Sequence, residues 1–356
     1  MSQISIEQAK QALSTVQDPD LRKDLITLNM ARNIEVLAGN KVKFNLVLTT
    51  PACPLRSKIE EDCKTALIEA GASEVEIETT AEVRGFKGYS GKQAVDGVKN
   101  IIAVSSGKGG VGKSTVSVNL AIALSKLGAK VGVLDADITG PNVPKMLGLN
   151  EQPKLSDDGK KLLPLEGHGV KVISMGLLLK EDEPVVWRGP MLHSAINQFL
   201  REVAWGELDY LVIDLPPGTG DAQLTICQAV PIAGAVIVST PQDVALMDSK
   251  KGLMMFKQMK VEVLGIVENM SYFIAPDTGK RYEIFGHGGA ARFAQSLGVS
   301  CLGQIPIQSV IREGGDSGLP VTLSEPKGEV ALIFEEVAKI VAAKLSIQAA
   351  NELIQV

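Results

Sequence analysis

The chain has 356 residues and a formal net charge of −5, with 45% apolar and 22% charged residues. This length allows two domains, and the composition is ordinary for a soluble globular protein with a large core. The acidic balance lacks the basic footprint of a nucleic-acid-binding protein, and the apolar run over 230–239 is too short to span a bilayer. No secretory signal is visible, and the four cysteines do not form a disulfide framework. We therefore expect a cytoplasmic protein with no nucleic-acid or membrane partner.

The first 83 residues predict a small α+β domain. Helical apolar spacing alternates here with strand-like alternation, and turn sequences separate the segments. The predicted elements are a helix over 4–17, strands over 34–37 and 42–48, a helix over 57–70 and a strand over 75–79. Residues 84–99 are rich in Gly and Lys and poor in large aliphatic side chains, so we expect a linker there.

Residues 100–345 show apolar strands that alternate with helices. Strands are predicted over 101–105, 131–134, 171–174, 210–214, 234–239, 263–267 and 301–304. The predicted helices include 114–127, 190–203, 244–259 and 328–345, and residues 346–356 are expected to form a C-terminal tail. This alternation predicts an α/β domain whose mostly parallel sheet is covered by helices on both faces.

One loop carries the strongest functional signal in the chain. Residues 107–115 read GKGGVGKST and contain the spacing G-x-x-x-x-G-K-[ST]. An apolar strand precedes them and an apolar-periodic helix follows, which is the setting of a phosphate-binding loop in a P-loop NTPase. Glycines let the backbone N–H groups turn toward phosphate oxygens, and the helix N-terminus adds its positive end. The predicted nucleotide-binding residues are Gly107, Lys108, Gly109, Gly110, Val111, Gly112, Lys113, Ser114 and Thr115.

Side chains with distinct chemical tasks can be assigned around this loop. We expect Lys113 to contact the β and γ phosphates of ATP, and the Ser114 hydroxyl to bind Mg²⁺. The strand over 210–214 ends at Asp214, and in phosphate-loop enzymes such an acid holds Mg²⁺, usually through water. Asp135 can support the metal shell, and Asp137 can orient the attacking water. The alternative for Asp214 is an acid that ends a strand for solubility. The alternative for the other two is that either Asp135 or Asp137 is a turn acid before the Gly-Pro sequence at 140–141.

The loop contains a second lysine, Lys108, in addition to Lys113. It is either a solvated loop charge or part of the variant that it resembles, the deviant Walker motif K-G-G-x-G-K-[ST]. In that group the early lysine reaches across a nucleotide-sandwich dimer to the phosphates of the partner. The resemblance implies that Lys108 acts in trans and that the protein is a homodimer when ATP is bound.

Further motifs narrow the resemblance to one family. The sequences VWRGPM at 186–191, DLPPGTGD at 214–221, VENMS at 267–271 and FGHGG at 285–289 resemble the Mrp/ApbC iron–sulfur cluster carrier ATPases. Residues 18–83 resemble the small domain of iron–sulfur assembly factors, with Asp-Pro at 18–19 and TTPACP at 49–54. The resemblance implies that Asn269 recognises adenine, and that the partners are apo iron–sulfur proteins or scaffold proteins.

The chain departs from this family at the expected cluster ligands. Most members carry a C-x-x-C pair shortly after E-N-M-S, and two such pairs in a dimer would hold a [4Fe–4S] cluster. Ala275 and Thr278 stand at those places here. Neither side chain can replace a thiolate, so the usual bridging cluster cannot form.

The four cysteines of the chain are candidates to replace these ligands. Cys53 lies between a strand and a helix, where the helix N-terminus is expected to lower its pKa and make it a ligand or transfer thiol. The alternative is an inert, half-buried thiol. Cys63, Cys227 and Cys301 fall in apolar elements and are predicted to be core residues, and His287 in a glycine-rich loop is predicted to have a turn role.

Three functions remain open from the sequence. The first is an ATP-hydrolysing, nucleotide-gated carrier or assembly factor for iron–sulfur clusters. The second is a MinD/ParA-like positioning ATPase, which would need a basic amphipathic tail that residues 345–356 lack, since they contain no Lys or Arg. The third is a regulatory ATPase of the same lineage that has lost cluster binding.

Overall fold

The structure is a computed structural model that describes residues 4–86, 88, 92–138, 140–177 and 189–354. The chain divides into two compact units. The small unit comprises Met1–Arg84 with Ala342–Val356, and the large unit comprises Gly85–Val341. Within the described residues, no helix is both long and apolar enough to cross a membrane.

The small unit has the predicted α+β character. Its elements are α1 (Ile6–Leu13), β1 (Gln17–Asp18), β2 (Lys23–Asp24), β3 (Ala31–Leu37), β4 (Lys41–Leu48), α2 (Arg56–Glu69) and β5 (Glu74–Ala81). Strand β4 pairs antiparallel with β3 and parallel with β5. Every second residue of β4 is buried, from Val42 to Leu48, because alternate side chains of a strand point to the same face. The short β1–β2 hairpin was not predicted.

The large unit is the predicted α/β domain. Its first elements are β6 (Val98–Ser106), α3 (Lys113–Lys126), β7 (Val131–Asp135), α4 (Val143–Met146), β8 (Leu165–Gly167), β9 (Val170–Ser174), α5 (Gly189–Arg201), β10 (Leu208–Asp214) and α6 (Asp221–Ala229). They are followed by β11 (Ile232–Ser239), α7 (Asp243–Gln258), β12 (Val263–Glu268), β13 (Phe273–Ile274), β14 (Arg281–Tyr282), α8 (Gly289–Ser296), β15 (Cys301–Gln304), α9 (Ser309–Ser317), α10 (Val321–Ser324) and α11 (Glu329–Ile354).

The large sheet brings the phosphate loop to its centre. Its eight strands follow the order β15-β12-β11-β6-β10-β7-β9-β8, and only β8 runs antiparallel to its neighbour. All eight residues of β11 are buried, as expected for a strand covered on both faces. Because β6, β10 and β7 are adjacent and parallel, the residues at their carboxyl ends share one edge of the sheet.

Two parts of the chain differ from the domain boundaries expected from the sequence. Strand β6 begins at Val98, and Val95 is buried in the core of the large unit, so the described part of 84–99 is packed structure rather than a free linker. Helix α11 continues to Ile354 instead of ending at 345, and Leu345, Ala349 and Ala350 are buried. Composition does not predict either feature, because a single buried valine, or a few small apolar residues, can be enough to pack such a segment against a core.

Candidate nucleotide site

The phosphate loop, residues 107–112, joins β6 to α3 at the carboxyl edge of the sheet. Gly110 and Gly112 have φ angles of +80° and +83°, a conformation that favours glycine. A Cβ atom at Gly112 would lie 2.1 Å from Asn269 Nδ2, and one at Gly107 would lie 2.3 Å from the backbone nitrogen of Ser249 in α7. Backbone conformation and close packing therefore both require glycine in this loop.

Lys113, Ser114 and Asp214 form the centre of the site. The Lys113 Nζ atom lies 2.8 Å from Asp214 Oδ2, and the Ser114 hydroxyl donates to the same oxygen at 2.6 Å. Asp214 is fully buried at the end of β10, and Lys113 is 6% exposed. A buried carboxylate is costly unless it is paired and hydrogen-bonded, which is the case here. The sequence prediction placed these three residues at one site, and the structure brings them into direct contact.

The two carboxylates after β7 have different surroundings. Asp137 Oδ2 lies 3.7 Å from Lys113 Nζ, and Asp137 borders a cavity of about 190 Å³ beside the phosphate loop. Asp135 is fully buried and accepts hydrogen bonds from the Ser174 hydroxyl at 2.9 Å and from the Val143 backbone N–H at 3.3 Å. Burial raises the pKa of Asp135, and the Asp214 carboxylate adds to the rise. Asp137 therefore lines the cavity, whereas Asp135 is buried and holds neighbouring segments together through its hydrogen bonds.

The Lys108 side chain lies near Gln242, at the start of α7. Its Nζ atom lies 3.5 Å from Gln242 Oε1, and its backbone carbonyl accepts from the Ser106 hydroxyl at 3.0 Å. Lys108 does not line the cavity that Lys113 borders. The two lysines of the motif therefore have separate surroundings within one chain.

A larger cavity of about 510 Å³ adjoins the loop at Gly112 and Thr115. Met270, Phe285 and Ile307 contribute apolar surface to it, and Asn269 lies at its inner wall. The Asn269 side-chain amide donates to the Val111 carbonyl at 2.9 Å, which ties the end of β12 to the phosphate loop. An apolar cavity with a few polar groups is suited to a nucleoside.

Four polar residues of the site were not identified from the sequence. The Ser117 hydroxyl donates to Asp214 Oδ1 at 2.6 Å, and Ser174 holds Asp135. Gln242 is near Lys108, and Glu268 accepts from the Ser271 hydroxyl and the Ala290 backbone N–H. Two of them carried a signal in the sequence, because Ser117 lies one helical turn after Ser114 and Glu268 belongs to the VENMS motif.

The hairpin of β13 and β14 contains the positions of the missing cysteines. The turn closes through hydrogen bonds from the Ala275 N–H to the Lys280 carbonyl and from the Gly279 N–H to the Ala275 carbonyl. Thr278 is exposed in this turn. Within the described residues, no group of three or more His, Cys, Asp and Glu side chains is arranged to hold a metal ion. Of the VWRGPM motif, residues 186–188 lie outside the described residues.

The prediction of a lowered pKa at Cys53 is wrong. Cys53 is half-buried, and burial raises its pKa, with a further rise from the Asp18 and Asp20 carboxylates. Helix α2 begins only at Arg56, and the backbone N–H groups that favour the Cys53 thiolate do not offset burial. The nearby acids come from the β1–β2 region, which the sequence did not place beside the cysteine.

The remaining cysteines match their predicted core character to different degrees. Cys63 and Cys227 are fully buried, and burial raises the pKa of each to about 12. Cys301 is half-buried, and its pKa is also raised. His287 is exposed, and its Nδ1 atom lies 3.1 Å from Glu283 Oε1.

A phosphate loop after a central parallel strand, with a buried acid at the end of the next strand, defines a P-loop NTPase. Two family models match the chain: NUBPL iron-transfer P-loop NTPase over residues 97–342, and iron-sulfur cluster assembly protein over residues 6–79. The chain belongs to this family of iron–sulfur cluster carrier P-loop NTPases, as the Mrp/ApbC resemblance implied.

Individual relatives agree with the family over most of the chain. An iron-sulfur cluster carrier protein of Synechocystis is 55% identical over 342 residues, which cover 95% of this chain and 97% of that protein. A nucleotide-binding protein of Archaeoglobus fulgidus, solved in complex with ADP, is 43% identical with a TM-score of 0.58 and covers 67% of this chain and 92% of its own. The septum site-determining protein MinD of Pyrococcus horikoshii, complexed with Mg-ADP, is 25% identical with a TM-score of 0.51, covering 67% and 94%.

Proposed function

We propose that the protein is an ATP-hydrolysing, nucleotide-gated carrier of iron–sulfur clusters. The observation that carries the ATPase half is the convergence of Lys113 Nζ and the Ser114 hydroxyl on Asp214 Oδ2, beside a loop built to bind phosphate. The ADP complex of the Archaeoglobus protein and the Mg-ADP complex of MinD support a nucleotide in this place.

In this proposal, each residue near the loop has a separate task. Lys113 stabilises charge on the β and γ phosphates, and the loop N–H groups hold the phosphates in place. Asp137, at the cavity wall, orients the attacking water, and Asp135 positions the backbone that carries Asp137 through the N–H of Asp137, which donates to Asp135 Oδ1 at 3.1 Å. Asn269 positions the base by fixing the wall of the larger cavity.

The donor atoms beside the loop fit Mg²⁺. Ser114 and Asp214 offer oxygen atoms, which this ion prefers, and Asp135 extends the oxygen-rich surroundings. Mg²⁺ is held by one or two carboxylates together with phosphate oxygens and water, so a cluster of three protein acids is not needed. When bound, the ion neutralises charge that develops on the transferred phosphoryl group.

We propose that ATP binding forms a homodimer in which Lys108 acts in trans. The Lys108 ammonium lies outside the phosphate cavity of its own chain, with Gln242 Oε1 3.5 Å away. A second copy that covers the loop edge could receive this charge at its phosphates. The site within one chain would then lack one of its cations until the dimer forms.

The proposed binding of an iron–sulfur cluster rests on sequence similarity to the Synechocystis carrier protein. The iron–sulfur cluster is the cargo in this proposal, and the protein delivers it to apo-proteins or scaffold proteins in the cytoplasm. Cys53 is the candidate ligand or transfer thiol, because its thiol is half-buried rather than enclosed. Its raised pKa means that metal binding, rather than local charge, would have to stabilise the thiolate.

Reconstitution separates this function from the alternative of a regulatory or positioning ATPase without a cluster. The purified protein is incubated anaerobically with iron and sulfide, and bound iron and the visible absorption of a cluster are measured. We expect a cluster in the wild type and its loss in Cys53→Ser, whereas Cys301→Ser serves as the matched half-buried control. No bound iron in the wild type would support the alternative, and equal iron in both variants would remove Cys53 from the proposal.

A further inference from the structure

A loop of two prolines and two glycines, residues 215–220, forms one wall of the phosphate cavity through Pro217. We call it the proline–glycine loop. Its backbone is fastened to β6 by two hydrogen bonds, from the Leu215 N–H to the Val104 carbonyl at 3.0 Å and from the Gly218 N–H to the Ser106 carbonyl at 2.9 Å. The loop therefore follows β6 toward the phosphate loop before the chain enters α6.

The Gln223 side chain adds a third hydrogen bond to the proline–glycine loop. The Gln223 carboxamide, in the first turn of α6, donates from Nε2 to the Pro216 carbonyl at 2.5 Å. Gln223 is fully buried, whereas Pro217 and Thr219 are exposed. A buried anchor thus holds the residue directly before the exposed cavity wall.

Glutamine at this buried position stabilises the fold less than an apolar side chain would. The Gln223 Oε1 atom is buried and has no hydrogen-bond partner among the described residues. An unsatisfied buried acceptor destabilises the fold, and an apolar side chain of the same size would avoid that loss. Gln223 also lies on the same helical stripe as Ile226 and Cys227, which are core residues, so a leucine would suit its surroundings.

Ser105 provides an internal comparison. Its hydroxyl is also buried and has no hydrogen-bond partner in the described part of the chain, and it lies on the face of β6 that carries Ala103, toward the same core. Unlike Gln223, Ser105 forms no side-chain hydrogen bond to the described residues of the proline–glycine loop. Both residues therefore have a buried, unsatisfied oxygen, but only Gln223 is hydrogen-bonded to the loop that carries Pro217.

We propose that Gln223 is a positioning residue for phosphoryl transfer, which holds the Pro216 carbonyl so that Pro217 stays in place at the phosphate cavity. The inference rests on the proposed ATPase function and extends it to a residue without direct contact with the nucleotide. Misplacing a group in an active site by about 1 Å can cost as much as about 10²-fold in rate. The donor, not the acceptor, of Gln223 performs this task.

The first test compares Gln223→Leu with the control Ser105→Ala. We expect both to keep the thermal stability of the wild type, because each removes an unsatisfied polar atom. Gln223→Leu should lower kcat by about tenfold or more while the Kd for Mg-ADP stays within about threefold, because the phosphate loop that is proposed to hold the diphosphate is unchanged in this variant. Ser105→Ala should leave kcat unchanged. A wild-type kcat in Gln223→Leu would overturn the proposal.

The second test uses Gln223→Glu and does not depend on how well leucine fits. A protonated Glu carboxyl can donate to the Pro216 carbonyl as the amide does, but an ionised one cannot. Burial raises the pKa of such a carboxyl, so kcat relative to wild type should be highest at low pH and fall as pH rises. A ratio that does not change with pH would contradict the role of the donor.

These outcomes are separable from failure of the proposed function. If the wild type hydrolyses ATP and Lys113→Ala does not, the ATPase site stands, and an active Gln223→Leu variant rejects only the positioning role. If the wild type does not hydrolyse ATP, or Lys113→Ala hydrolyses it normally, the proposed site itself is wrong and the inference falls with it.

Discussion

The phosphate loop and the β13–β14 hairpin lie in the same unit but differ in how their polar groups are used. At the loop, Lys113, Ser114 and Ser117 all contact the buried Asp214 carboxylate. At the hairpin, the turn that contains Ala275 and Thr278 is closed by backbone hydrogen bonds, and neither side chain carries a thiol. The nucleotide site is thus assembled from buried, paired groups, whereas the expected cluster site has lost its thiols.

This difference indicates how strongly the structure constrains the residues of the ATPase site and those of the expected cluster site. Buried charged groups must be paired, so a change at the phosphate loop disturbs several partners at once. An exposed turn whose backbone makes its own hydrogen bonds tolerates substitution of its side chains. The ATPase half is therefore fixed by packing, and the cargo half must depend on groups elsewhere in the chain or on a different mode of holding the cluster.

The largest effect is expected from Lys113→Ala. Removing the ammonium leaves the buried Asp214 carboxylate without its closest cation and the phosphates without a charge partner. Loss of one such stabilising group costs about 10²–10³-fold in kcat, so turnover should be undetectable against background in a phosphate-release assay. Lys160→Ala, an exposed lysine, is the control. Turnover within about tenfold of wild type would refute the assigned loop.

Two cysteines in the hairpin would test whether the missing ligands alone explain the departure from the family. The double variant Ala275→Cys with Thr278→Cys should bind about four iron ions per dimer after anaerobic reconstitution, since two pairs can ligate one cluster. The matched control replaces the same residues by serine. Iron no higher than in the serine control would mean that the hairpins of two copies do not meet.

A moderate effect is expected from Gly112→Ala. The alanine must adopt φ near +83°, and its Cβ would displace the Asn269 amide that donates to Val111. Strain of this kind costs about 1–3 kcal/mol, to be measured as the free energy of unfolding in urea. Gly109→Ala is the control for stability, because a Cβ there meets no atom within 4 Å. Equal stability of the two variants would show that the close approach is not constraining.

The smallest effect is expected from Lys108→Ala in the absence of nucleotide. The hydrogen bond from its ammonium group to Gln242 is long, at 3.5 Å, so the unfolding free energy should change by less than about 0.5 kcal/mol. With ATP, however, sedimentation should show a weaker dimer than in the wild type or in the control Lys130→Ala. An ATP-dependent dimer of normal strength would place Lys108 outside the partner's site.

The sequence predicted most of the architecture because its signals are local. The strand predicted over 131–134 extends over Val131–Asp135, and the helix predicted over 114–127 is Lys113–Lys126. Short elements such as α4 and the β1–β2 hairpin escaped prediction because four residues or fewer carry no measurable periodicity. The end of α11 was placed too early because the polar residues Gln348, Asn351 and Glu352 interrupt the apolar spacing of its last turns.

Contacts between distant residues could not be predicted in the same way. Asn269 and Val111 are 158 residues apart in sequence and become hydrogen-bonded only because β12, β11 and β6 follow one another in the sheet. The raised pKa of Cys53 likewise depends on burial and on two acids from another segment. Gln223 carried no motif that distinguished it from an ordinary helical residue.

The sequence by itself determined the fold class, the position of the phosphate loop and the absence of the paired cysteines. These follow from residue types and spacings within short stretches, where the backbone has few alternatives. Only the tertiary structure decided which acid pairs with Lys113, that Asp135 braces rather than lines the cavity, and that Gln223 holds its wall. Strand order and burial set those relationships, and both depend on the whole chain packing at once.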